Sequence, residues 1–232
     1  MMKYKSLFID LDDTLWDTYH NNKECLEEVY TAHHFDRYYA SFEAFFEIYW
    51  PHNNLLWEQY RNNEIDRQTL IIERFRYMLR PLGIEDTKSV LAAINNDFLQ
   101  RTTRKTRLVP GAIELLEYLR PSYRMYILSN GFREVQFKKL CNSGLAPYFK
   151  RMILSEDACI QKPHKEIFDF ALKNTNSRRS ESLMIGDSWE ADIIGAHNSK
   201  IDQLWLNPKG LPAKEFIPTY TVGSLEEIKR IL

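Results

Sequence analysis

Leu7-Phe8-Ile9-Asp10-Leu11-Asp12-Asp13-Thr14 is the stretch that decides the fold of this 232-residue chain. A short apolar run reads as a strand, and it delivers two carboxylates, two residues apart, onto the loop at its C-terminal end. Open α/β sheets bind their ligands at that edge. Like charges held so close repel, and each carboxyl prefers its proton unless a cation joins them. A hard divalent ion that takes oxygen ligands, Mg²⁺, resolves the conflict. The pair then divides the work, with Asp10 as nucleophile and Asp12 as general acid/base. Alone the motif is weak, because Asp and Thr after a strand are also ordinary turn and N-cap residues.

Three more stations follow in order. Arg124 to Leu128 is strand-like and runs into Ser129-Asn130-Gly131, a hydroxyl and an amide before a turn glycine. Such a loop can offer a hydroxyl and backbone N–H groups to a phosphate oxygen. Lys162-Pro163 opens a helical segment at 164–174, and a lysine there suits a phosphate or a carboxylate nucleophile. Ser182-Leu183-Met184-Ile185 is a strand ending in Gly186-Asp187, with Asp192 five residues on. Asp187 can hold a metal directly, and Asp192 through water or a second layer of contacts. Each station has a structural reading as a turn, a cap or a solvated helix start. Together, at the ends of successive strands, they form a strong constellation.

Asp10-x-Asp12-x-Thr14, Ser129, Lys162 and Gly186-Asp187 with Asp192 resemble the haloacid dehalogenase superfamily, mostly Mg²⁺-dependent phosphatases. The resemblance implies attack by Asp10 on phosphorus, with Asp12 protonating the leaving alcohol. Asp12 then activates water against the acyl phosphate. It implies phosphoryl contacts from Ser129, Asn130 and Lys162. Mg²⁺ would be held by the carboxylates of Asp10 and Asp187 and the backbone carbonyl of Asp12, with Asp192 behind them. The true dehalogenases lack the acid/base aspartate, so Asp12 favours phosphoryl transfer over dehalogenation.

Leu56-Trp57-x-x-Tyr60, Ser129-Asn130-Gly131-Phe132, Gly144-Leu145 with Tyr148-Phe149, and Pro218-Thr219-Tyr220-Thr221-Val222 are similar to pyrimidine 5′-nucleotidases of that superfamily. That likeness implies a nucleoside monophosphate as the small phosphorylated partner. A sugar-phosphate or phosphoglycolate phosphatase or mutase is the alternative, and a non-catalytic binding module the last. Trp57, Tyr60 and Arg61 can face a base or sugar, or pack in a core. Cys159-Ile160-Gln161 departs from the small or glycine-containing sequence expected before Lys162.

Spacing sets the architecture. Strands are expected at 5–9, 125–129, 152–154, 183–185, 203–206 and 220–222, alternating with helices after Pro110 as a doubly wound, Rossmann-like parallel sheet requires. Between the first two strands the periodicity is helical, at 23–32, 41–50, 66–80 and 87–100. A capping box is expected at Ser224-Leu225-Glu226-Glu227. The reading is therefore an α/β core from 1–16 and 107–232 with an inserted α-helical cap at 17–106, roughly ninety residues and too long for a loop. The resemblance makes that cap a lid, with hinges at 17–19 and 106–108. Phe42, Phe45, Phe46, Tyr49 and Trp50 recur as one buried helix stripe.

Composition fits a soluble enzyme. Hydrophobic residues make up 44% and the net charge is −1, which signals neither disorder nor a polyanion partner. The basic run from Arg101 to Arg107 therefore reads as a solvated helix end rather than a nucleic-acid surface. His33-His34 lacks metal-ligand spacing. Cys25, Cys141 and Cys159 are scattered, as expected of reduced cytoplasmic thiols. The first apolar run is broken by Asp10, unlike a signal peptide, and no segment approaches the ~20 apolar residues of a membrane span.

Overall fold

The computed structural model describes residues 3–83 and 87–232. In chain order its elements are β1 (Ser6–Ile9), α1 (Thr18–Ala32), α2 (Phe42–Arg61), α3 (Arg67–Leu79), α4 (Lys88–Thr102), α5 (Ala112–Leu119), β2 (Arg124–Ser129), α6 (Arg133–Asn142), β3 (Arg151–Leu154), α7 (Ser155–Ala158), α8 (Lys165–Thr175), β4 (Ser182–Gly186), α9 (Gly195–Asn198), β5 (Asp202–Leu206), β6 (Tyr220–Val222) and α10 (Leu225–Ile228). A π-helical stretch, Trp189–Ile194, leads into α9. The chain forms two compact units, one from the segment up to Thr18 with Thr106–Leu232, the other Tyr19–Lys105. Among the described residues no helix is long and apolar enough to cross a membrane.

The first unit carries a six-stranded sheet in the order β3-β2-β1-β4-β5-β6. Every neighbouring pair is parallel, so the doubly wound sheet expected from the strand spacing is present. Both faces of such a sheet must be covered. Leu7, Ile9, Ile127, Leu183 and Ile185 pack on one side with Leu115, Leu116 and Leu119 of α5. The alternate residues Phe8, Tyr126, Leu128 and Met184 pack on the other with Ile167, Phe168 and Leu172 of α8. Each fully buried side chain of this size contributes about 1.5–3 kcal/mol against exposure.

The strand order reverses beside β1, which opens a crevice at the carboxyl ends of β1 and β4. Ile9 is in register with Ile127 and with Ile185. Asp10 is thus level with Leu128 and Gly186, and Ser129 and Asp187 stand one residue further out.

The second unit is helical. Phe45, Tyr49, Phe75 and Phe98 form its centre together with Cys25 and Leu91, with Phe45 and Tyr49 stacked at 5.8 Å between ring centroids. Phe42, Phe45, Phe46 and Tyr49 are buried and Trp50 is half-buried. Two helices outrun their expected bounds by five residues or more. α1 begins at Thr18 rather than 23, and α2 continues through Pro51 to Arg61. Proline removes the N–H that bonds the carbonyl four residues back. Pro51 and Glu47 lie on the exposed side of α2, where water can take that carbonyl, while the buried face runs on to Leu56.

The basic run is neutralised locally. Arg101 pairs with Asp97 and Glu28, and Lys105 with Glu24 and Glu28. In the first unit Arg107 pairs with Asp17 at 3.0 Å. His33 pairs with Asp97, and all three cysteines are free. At α10 the expected box takes another form: Glu227 accepts from the Gly223 N–H and the Ser224 hydroxyl.

Candidate active site

β1 ends against β4 with the Asp10 N–H donating to the Ile185 carbonyl at 2.9 Å, which fixes Asp10 at the crevice. The turn that follows is closed by its own side chains. Asp13 adopts a left-handed conformation, φ 59°, and accepts from the Thr18 N–H at 2.9 Å. The Thr18 hydroxyl donates to Asp12 at 3.0 Å. Asp tolerates positive φ better than most residues, and its short side chain bonds nearby backbone.

Asp10 is buried beside Lys162, which is 2% exposed. The Lys162 ammonium spends its three protons on Asp10 Oδ1 at 2.6 Å, Asp192 Oδ1 at 2.6 Å and the Leu128 carbonyl at 2.7 Å. The other Asp192 oxygen accepts from the Ser188 N–H at 3.1 Å. A Cβ on Gly186 would overlap the Asp192 carboxylate, so only glycine admits it there.

Asp187 is held by Thr14, whose hydroxyl donates to it at 2.9 Å and accepts its N–H at 3.1 Å. Carboxylate oxygens of Asp10, Asp187 and Asp192 lie within 4.8 Å of one another. Three buried or half-buried carboxylates thus cluster about a single ammonium, which bonds Asp10 and Asp192 and leaves Asp187 to Thr14. Burial pushes Asp10 up to about 7, against the opposing pull of Lys162 and with help from the charges of Asp192 and Asp12. Burial, then the charges of Asp10 and Asp192, raise Asp187 well above the usual carboxylate range. The same carboxylates outweigh the burial of Lys162 and raise its pKa. Such an excess of negative charge on hard oxygen donors fits a divalent cation of the Mg²⁺ type.

Ser129 and Asn130 leave β2 beside this cluster. The Asn130 carboxamide donates to the Lys162 carbonyl and accepts the Lys162 N–H, both at 2.9 Å. Its side chain thereby positions Lys162. Cys159, where the sequence departs from expectation, caps α7 with φ 54°.

Two residues that nothing in the sequence singled out complete the site. On α6, Gln136 donates to Asp12 Oδ2 at 2.6 Å, and Lys139 donates to Asp12 Oδ1 at 2.5 Å. Lys139 also lies 4.0 Å over the Trp16 ring. Burial favours the neutral acid, yet the charge and hydrogen bond of Lys139, with Gln136 and Thr18, win and hold Asp12 below its ordinary pKa. Only the structure shows the inversion that brings them in: Phe137 is 59% exposed while Gln136 and Lys139 on the same helix are buried.

Residues 7–206 match the haloacid dehalogenase-like hydrolase family. The chain belongs to that family. It is 32% identical to HAD-hydrolase YfnB of Bacillus subtilis over all of this chain and 97% of that one. It is 33% identical to pyrimidine 5′-nucleotidase YjjG of Escherichia coli, covering 100% and 99% of the two chains, and 32% identical to pyrimidine 5′-nucleotidase PynA of Streptococcus pneumoniae, covering 98% and 94%. A crystal structure of YfnB bound to magnesium, which reveals interdomain movement, superimposes with TM-score 0.88 at 30% identity over 99% and 98% of the chains. Asp10, Asp12, Ser129, Lys162, Asp187 and Asp192 all lie within the matched residues.

Trp57, Tyr60 and Arg61 belong to the helical unit, in the last turns of α2. All three are half-buried, and the rings of Trp57 and Tyr60 meet edge to face at 5.8 Å. The same unit holds a cavity of about 320 Å³ lined by Tyr19, Lys23, Glu43, Phe46, Glu47, Trp50 and Pro51. The aromatic stripe of α2 thus serves the core and also walls a cavity.

Proposed function

We propose that this hydrolase is a Mg²⁺-dependent phosphomonoesterase acting through an aspartyl-phosphate on Asp10, with a pyrimidine nucleoside 5′-monophosphate as substrate. The observation that carries it is the buried Asp10–Lys162–Asp192 cluster with Asp12 clamped two residues from Asp10. A carboxylate held by an ammonium is oriented for attack, and a second, independently held carboxylate is available for protons. Dehalogenation has no use for Asp12. The full-length likeness to two pyrimidine 5′-nucleotidases supports the substrate class.

In the first step an Asp10 oxygen attacks phosphorus, the bond to the alcohol oxygen breaks, and Asp12 gives that oxygen a proton. In the second, Asp12 takes a proton from water, the water oxygen attacks phosphorus, and the acyl phosphate opens to phosphate and free Asp10. Lys139 and Gln136 favour the carboxylate form of Asp12, which the second step needs. Ser129 and Lys162 hold phosphoryl oxygens. The carboxylates of Asp10 and Asp187 and the carbonyl of Asp12 would hold Mg²⁺, which when bound neutralises phosphoryl charge.

Release of inorganic phosphate, with Mg²⁺ and with chelator, across nucleoside monophosphates and sugar phosphates tests the reading. Mg²⁺-dependent release led by uridine or thymidine monophosphate supports it. A lead by sugar phosphates keeps the mechanism and removes the nucleotidase assignment. No release from either class removes both.

Metal binding has a pH signature. Asp10 and Asp187 carry raised pKa values, so in the metal-free protein their ionisation costs stability as pH rises above the unfolded value near 4, for Asp10 through about 7. The metal needs the ionised forms. Saturating Mg²⁺ should raise Tm by about 5–10 °C at pH 8, and by much less at pH 5.5. Equal shifts at both values in a thermal melt would exclude the two carboxylates as ligands.

We propose further that the helical unit is a lid that selects the leaving group, in keeping with the interdomain movement described for YfnB. Trp57→Ala, and separately Trp50→Ala, should change the ratio of kcat/KM between uridine monophosphate and a sugar phosphate by about tenfold, the scale of one lost stacking contact. An unchanged ratio removes that residue from the specificity surface.

A further inference from the structure

Gln136 is fully buried, one turn into α6, and its carboxamide nitrogen makes two hydrogen bonds. One goes to Asp12 Oδ2 at 2.6 Å and the other to Ser129 Oγ at 2.8 Å. Both residues belong to the reaction proposed above, and Gln136 joins them without belonging to either strand end. The amide orientation follows from chemistry. Flipped, its carbonyl oxygen would face the Asp12 carboxylate, acceptor against acceptor.

The consequence falls on Ser129. Its oxygen accepts from Gln136 and also from the Gly131 N–H at 3.1 Å. A hydroxyl has two lone pairs and one proton. With both lone pairs engaged, only the proton is left, and Ser129 can act toward a ligand only as a donor. A phosphoryl oxygen, which is only an acceptor, is the ligand such a hydroxyl suits.

The site is also built around the glutamine. A Cβ on Gly131 would overlap the Gln136 carboxamide, so the glycine makes room for it. The Gln136 carbonyl oxygen is buried without a hydrogen-bond partner. A buried polar atom left unpaired is costly, and a leucine or methionine would fill the space without that cost. What they would lack is the pair of N–H donors.

We propose that Gln136 is a positioning residue which, resting on the phosphatase reading, fixes Ser129 as a proton donor to the phosphoryl group and at the same time orients Asp12. Asp12 is held by Lys139 and Thr18 as well, whereas the Ser129 oxygen receives its side-chain donor from Gln136. The larger effect should therefore appear in phosphate binding through Ser129.

The test is a double-mutant cycle on Gln136→Met and Ser129→Ala, read by calorimetric titration with orthophosphate in the presence of Mg²⁺ and by kcat and KM on a phosphomonoester. Gln136→Met should weaken orthophosphate about tenfold and lower kcat about tenfold in the wild-type background. In the Ser129→Ala background it should weaken orthophosphate less than twofold, because Gln136 acts there through Ser129. Gly131→Ala, which displaces the carboxamide without opening a core cavity, should reproduce the binding loss and guards against a Gln136→Met protein that does not fold. Equal losses in both backgrounds, or undiminished orthophosphate affinity in Gln136→Met and Gly131→Ala, would overturn the role of Gln136. A wild-type protein that binds no orthophosphate would overturn the phosphatase reading, and this role with it.

Discussion

Asp10→Asn should lower phosphate release by about 10⁴-fold or more, because the reaction loses its nucleophile and the proposed metal site loses one carboxylate. An amide cannot form the acyl phosphate, and Lys162 keeps Asp192 and the Leu128 carbonyl as partners. The fold should not suffer. The raised pKa of Asp10, about 7, means that its charge is disfavoured in the metal-free folded chain at neutral pH. Its contribution is most favourable below the unfolded pKa near 4 and is lost as pH rises through 7. In Mg²⁺-free buffer the variant should therefore melt no lower than wild type at pH 5. At pH 8 it should melt higher. Added Mg²⁺ should close that gap by stabilising wild type alone. Normal turnover by Asp10→Asn rules out Asp10 as nucleophile, and a variant that melts lower at pH 8 rules out the electrostatic account of the cluster.

Lys162→Met should damage both stability and rate. The substitution leaves Asp10 and Asp192 buried against each other with no counter-charge, and removing one partner of a buried ion pair costs about 3–5 kcal/mol. For a chain of this size that is a fall in Tm of about 10 °C. Turnover should drop about 10³-fold, since phosphoryl charge and nucleophile orientation lose the same ammonium. Lys162→Arg should not rescue it. A planar guanidinium fork cannot aim three donors at Asp10, Asp192 and the Leu128 carbonyl in a slot shaped for an ammonium. Mg²⁺ should restore part of the Tm of Lys162→Met by neutralising Asp10. A melt within 2 °C of wild type would mean that the two carboxylates find protons or other partners, and the three-way clamp would lose its energetic meaning.

Legibility in the sequence differs sharply between residues. The strands follow from short β-rich apolar runs, and each observed strand lies within one residue of its expected bounds. Strand order does not follow from such runs, because any two of them can pair. The helices at 23–32 and 41–50 were read short where polar or proline residues interrupt a pattern. In the folded chain, α1 extends back to Thr18, whose hydroxyl bonds Asp12, and α2 passes Pro51 because its buried face continues to Leu56. The candidates Asp10, Asp12, Ser129, Lys162, Asp187 and Asp192 could be singled out because each sits at or shortly after a strand end or shortly before a helix. Asn130 was legible as a loop amide, but its engagement with the Lys162 backbone was not.

Gln136 and Lys139 were illegible for a clear reason. Lys138 and Lys139 look alike in sequence, and hydrophobicity would turn Phe137 inward before either neighbour. The reverse is observed because Val135 and Leu140 already cover the apolar side of α6, and the next part of its buried face meets the Asp12 carboxylate, which selects donors. By itself the sequence determined the α/β class, the strand positions and the residues delivered to the strand ends, since these depend on local period and turn chemistry. Tertiary structure alone decided that Lys162 bridges Asp10 and Asp192, that Asn130 braces Lys162, and that Gln136 joins Ser129 to Asp12. Those contacts link residues far apart in the chain, and only the pairing of parallel strands in register brings them within hydrogen-bond distance.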